Sequence, residues 1–147
     1  MSVTRAIVLA LSLIAGASGA ECPPISDPRA VESLQQLPVS GLEEGMPDEP
    51  FGEWLAARVG ERAVCWEAND CGEQTGDPEI DRTRDIPLCV EAWVADSAGP
   101  SFGVVVTVGT WRQGVHGAAR LRQVYRQEGE ELSTLESLRD LEDLLER

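Results

Sequence analysis

Four cysteines, at positions 22, 65, 71 and 89, constrain this chain more than any other feature, because oxidised pairs would tie its first half into few topologies. The opening residues say whether they oxidise. Met1-Ser-Val-Thr-Arg5 is a short positive start, Ala6 to Ala15 is almost unbroken apolar sequence, and Ala17-Ser18-Gly19-Ala20 offers small residues before Glu21. This is the layout of a secretory signal peptide, and the run is too short for a membrane span. Residues 1–20 are therefore expected to be removed, leaving 21–147 as a single secreted or periplasmic α+β domain. No lipid anchor is expected on Cys22, since Glu21 stands where lipoprotein processing requires a small residue. An even number of cysteines in an exported chain reads as disulfides, with three possible connectivities. A zinc site and a thioredoxin-like motif are both disfavoured, because no C-x-x-C pair exists and the single histidine, His116, is remote.

Charge narrows the partners. The chain has 26 acidic and 12 basic residues, a formal net charge of −14, and loss of Arg5 with the signal makes it more negative still. Nucleic acid and anionic membranes both select basic surfaces, so neither is expected as a partner. A basic extracytoplasmic protein or a cation is compatible; solubility alone would also account for the charge.

Periodicity supplies the elements. Residues 21–48 read as partly irregular, with one short helix from Pro28, capped by Ser26 or Asp27, apolar at Val31, Leu34 and Leu37, and ended by Pro38. Residues 39–49 read as a loop. A second helix spans 49–59, with Asp48 as cap, Pro50 in its first turn, Phe51, Leu55 and Val59 on one face, and Gly60 as its stop. Strands follow at 61–68, 88–94 and 102–110. A fourth at 118–127 is preferred over a helix because Gly114 and Gly117 punctuate a hairpin. Ser133 and Glu136 have the spacing of a capping box, and Leu135, Leu138, Leu141 and Leu145 form a stripe on a terminal helix. The expected fold is α+β: a four-stranded antiparallel meander with helices before it and one amphipathic C-terminal helix, disulfide-stabilised.

Within it, Cys65 and Cys89 would be bridged across a hairpin, with Cys22 joined to Cys71; Cys71–Cys89 with Cys22–Cys65 is the competing pattern. The segment between Cys65 and Cys89 concentrates Asp70, Glu73, Asp77, Glu79, Asp81 and Asp85. Alternate carboxylates at 77, 79 and 81 can hold calcium, but Pro78 interrupts them and the glycine and terminal glutamate of an EF-hand loop are missing. Arg82 and Arg84 can instead neutralise the loop internally. Trp93, on the Cys89 face of its strand, is a candidate binding residue. Arg120, Arg122 and Arg126 would form one basic stripe, paired with the acidic last helix. No nucleophile elbow, zinc-protease helix or phosphate loop occurs. The expectation is a small non-enzymatic interaction protein, such as an inhibitor of a basic partner, without a cofactor. The alternatives are a carboxylate-dependent hydrolase and a calcium-dependent structural module.

Overall fold

The computed structural model describes residues 22–71, 77, 79, 85–94 and 100–146. Helix α1 (Pro28–Gln36) begins where the sequence dictates: Pro28 occupies its first position and Asp27 accepts a hydrogen bond from the Ala30 amide at 3.2 Å. A 3-10 turn (Val39–Gly41) interrupts the following loop. Pro38 then bridges Pro50, and the Phe51 amide donates to the Leu37 carbonyl at 2.7 Å, so the end of α1 sets the start of α2 (Phe51–Val59). Helix α2 has Pro50 rather than Asp48 at its N-cap, and ends at Gly60.

Five strands follow in one antiparallel sheet whose order is sequential: β1 (Val64–Asp70), β2 (Pro87–Val94), β3 (Ser101–Thr110), β4 (Gly114–Glu128) and β5 (Glu131–Leu135). Valines dominate the middle strand, and Val104, Val106 and Val108 are buried. Helix α3 (Leu138–Leu145) closes the chain. All three helices pack on one face of the sheet. Their Leu34, Phe51, Trp54, Leu138 and Leu141 meet Leu88, Val90, Ala92, Val94 and Val124 in a single core. Phe51 stacks on Trp54 at 5.9 Å and meets Trp66 edge-on at 6.0 Å, geometries that aromatic quadrupoles favour.

Two expectations about the later elements are corrected. The sheet has five strands, not four. Gly129, at φ +61°, turns β4 straight back into β5, so Ser133 is extended and cannot cap a helix. The cap is Ser137, whose hydroxyl accepts from the Asp140 amide at 3.2 Å. Glu43, from the loop before α2, reinforces it by accepting from the Leu138 amide at 2.7 Å, placing a carboxylate at the positive end of the helix.

The cysteines pair as Cys22–Cys65 and Cys71–Cys89. Register explains why the Cys65–Cys89 bridge is not made. Cys65 lies opposite Trp93 and Cys89 opposite Asn69, so the two cysteines sit four residues apart along the ladder. At about 3.4 Å per residue that gap exceeds what a disulfide spans.

The arginine stripe is also split. A register shift between Val105 and Val106 leaves Arg122 without a partner residue across the ladder, with Arg120 opposite Thr107 and Arg126 opposite Phe102. Thr107 and Phe102 belong to opposite faces of β3, so the three arginines share no face. The acidic last helix is held by α2 and the turn after it instead: Arg58 meets Glu142 at 2.6 Å, and Arg62, just past Gly60, donates to the Leu145 carbonyl at 3.0 Å.

Candidate functional site

Helices α1, α2 and α3 all pack on one face, and the composition of the other face follows from strand alternation. On β1 it carries Cys65, Glu67 and Asn69; on β2, Cys89, Glu91 and Trp93; on β3, Gly103, Val105 and Thr107; on β4, Arg120, Gln123 and Tyr125. Register aligns these in rows. One row runs Cys65, Trp93, Gly103, Tyr125; the next runs Glu67, Glu91, Val105, Gln123.

Gly103 makes the first row possible. A Cβ there would fall inside the Tyr125 ring, so the absence of a side chain lets the phenol lie down across β3. From that position its hydroxyl donates to the Glu91 carboxylate at 2.5 Å. Burial, and then the bond to Glu91, push the phenol well above the usual tyrosine range. Glu91 stands directly opposite Glu67 on the neighbouring strand, and both are half-buried. Like charges directly opposite one another on adjacent strands are unfavourable. Tyr125 relieves one of the two with a proton donor. Trp93 is half-buried beside them, next to the Cys22–Cys65 bridge. The patch therefore presents two carboxylates, a phenol and an indole on one rigid surface, a combination suited to receiving cationic groups.

The acidic loop springs from this same face. Its base is Cys71–Cys89, over which the Thr107 hydroxyl lies 3.3 Å from the Cys89 sulfur. The described carboxylates of the loop occupy different settings. Asp70 ends β1 and is exposed. Asp77 accepts from the Glu79 amide at 2.9 Å in a local turn. Asp85 braces the β3–β4 turn, accepting from the Thr110 hydroxyl at 2.6 Å and the Arg112 amide at 2.8 Å. The Thr110 bond holds Asp85 below the usual carboxylate range. Glu73 and Asp81 lie outside the described residues. Among the described residues no group of three or more His, Cys, Asp or Glu is arranged to hold a metal ion. No helix among them is long and apolar enough to cross a membrane.

Sequence reasoning placed Trp93 on a sheet face but missed Glu67, Glu91 and Tyr125. The parity of Glu67 and Glu91 with their cysteines was readable; their juxtaposition depends on register, which nothing local specifies. A cleft of about 460 Å³ between α1, α2 and β1, floored by Leu55, Val64 and Trp66, was also missed. Gly52 of α2, against the Gln35 backbone, is the sequence signal for it. No protein-family model, curated protein or solved structure matches this chain.

Proposed function

We propose that this is an exported interaction protein, without catalytic activity, that binds a basic extracytoplasmic protein through the face of its sheet that carries Glu67, Glu91, Trp93 and Tyr125. The supporting observation is the opposed Glu67–Glu91 pair, half-buried, flanked by Trp93 and tied to Tyr125. Bringing a cation to that pair removes an unfavourable like-charge contact, and the neighbouring indole adds apolar area typical of binding hot spots. The acidic segment between Cys71 and Cys89, tethered by their disulfide, adds negative charge that would steer a basic partner inward. Two disulfides fit an oxidising compartment. Inhibition of a basic enzyme is one form this binding would take.

The test is capture from extracytoplasmic extract on the immobilised, oxidised protein, followed by kinetics with the partner at low and high salt. Trp93→Ala should weaken binding by about thirtyfold, the size of a hot-spot truncation. Glu91→Gln should slow association and flatten its salt dependence. Replacing Asp77, Glu79 and Asp81 with their amides should alter the association rate alone. An acidic partner, or binding indifferent to both Trp93 and Glu91, would refute the proposal. The hydrolase alternative would need the same carboxylate pair, so turnover in a broad hydrolase screen that is lost in Glu67→Gln and Glu91→Gln would favour it instead.

A further inference from the structure

The two edges of the sheet are treated differently. Along β1, the segment from Cys22 to Ser26 covers the edge: Cys22 is bonded to Cys65, and the Ser26 hydroxyl donates to the Ala68 carbonyl at 3.1 Å. At the other edge, β5 ends the strand order with no strand beyond it among the described residues. Four of its five residues, Glu131 to Thr134, are exposed, and Leu132 at 52% is the most exposed large apolar side chain described.

Hairpin geometry says which backbone groups are available. Glu128 and Glu131 pair across the two residues Gly129 and Glu130. In a two-residue hairpin the closing pair is hydrogen-bonded and pairs then alternate. Glu131, Ser133 and Leu135 thus bond to β4, whereas Leu132 and Thr134 direct their amides and carbonyls away from the sheet. Proteins ordinarily blunt such an edge with lysine, proline or a covering segment. Here β5 has neither lysine nor proline, and no strand among the described residues lies beyond it.

We propose that β5 is a docking edge for an extended basic segment of a protein partner, which adds to the sheet as a sixth strand. This deepens the reading of the protein as a binder of basic partners and rests on it. Charge identifies the occupant. Exposed Glu128, Glu130, Glu131 and Glu136 flank or belong to the edge strand, and Arg126 lies 3.6 Å from Glu128. A second copy of this chain would bring the same glutamates against these, so self-pairing is opposed by like-charge repulsion. A basic strand instead gains main-chain hydrogen bonds from Leu132 and Thr134, and its side chains meet carboxylates and the Leu132 side chain.

The experiment uses the mature, oxidised protein and a short synthetic peptide of alternating arginine and valine, followed by amide hydrogen exchange and a binding titration. The expected result is slowed exchange at the Leu132 and Thr134 amides on peptide addition. Thr134→Pro removes an outward amide without touching the β4 ladder, and should weaken binding by about tenfold or more. A copy of the peptide methylated at every backbone nitrogen keeps the charges but cannot pair, and should not bind; this arm decides the matter even if the proline variant misfolds. Equal binding of the methylated copy, no binding of either peptide, protection elsewhere than β5, or a dimer that Thr134→Pro dissociates would each overturn the proposal. Where protection falls separates the two readings: protection confined to the amides around Trp93 overturns the β5 edge and leaves the Trp93 face standing.

Discussion

Tyr125 is the only tyrosine in the chain, which makes its environment directly measurable. Its ionisation is raised first by burial and second by Glu91. Absorbance titration of the folded protein should therefore show no phenolate at the ordinary value of about 10, and unfolded protein should regain it. Since the unfolded phenol gives up its proton first, the unfolded state binds fewer protons above that pH, and stability should fall as pH rises through it. Glu91→Gln should bring the titration only part of the way back, because burial remains. A folded-state value near the ordinary one would mean that the phenol does not lie over Gly103. Asp85, one of the acids of the candidate binding loop, shows the opposite outcome. Its carboxylate is taken up by Thr110 and the Arg112 amide, and its work is to hold a turn.

Among the elements, the terminal helix carries the clearest lesson. Two serines precede it, Ser133 and Ser137, and each has an acid three residues later. Local chemistry does not choose between them. The choice comes from Gly129, which returns the chain along β4 and commits 131–135 to the sheet before the helix can start. Ser137→Ala should cost about 1 kcal/mol in thermal or denaturant unfolding. Ser133→Ala, at an exposed strand position, should cost a few tenths at most by comparison. The reverse ranking would place the helix start at 133. Arg58 and Arg62 do for α3 what the β4 arginines were expected to do, because they reach it from the adjacent helix and the turn that ends it rather than from a strand divided by a bulge.

For the whole molecule the disulfides set the scale of stability. Cys22–Cys65 separates residues by 43 positions and Cys71–Cys89 by 18. Chain entropy makes these worth about 4 and about 3 kcal/mol respectively. The Cys22→Ser, Cys65→Ser double variant should thus be less stable than the Cys71→Ser, Cys89→Ser one, and it should also release the segment that covers the β1 edge. Non-reducing peptide mapping should recover the pairs 22–65 and 71–89; a peptide joining 65 to 89 would contradict the register of β1 and β2.

The sequence by itself determined the α+β class, the cap of α1, the stops of α1 and α2, strand character within 61–68, 88–94, 102–110 and 118–127, and the apolar stripe of α3. All of these depend on periodicity and on proline, glycine and capping residues acting within a few positions of themselves. Tertiary structure alone decided the cysteine pairing, the fifth strand, the true cap of α3, and the meeting of Glu67, Glu91, Trp93 and Tyr125. Each of those depends on register, and register is a sum over a whole strand pair. Moving it by one residue would turn every side chain of a strand to the other face, and no single residue in this chain carries enough information to specify it.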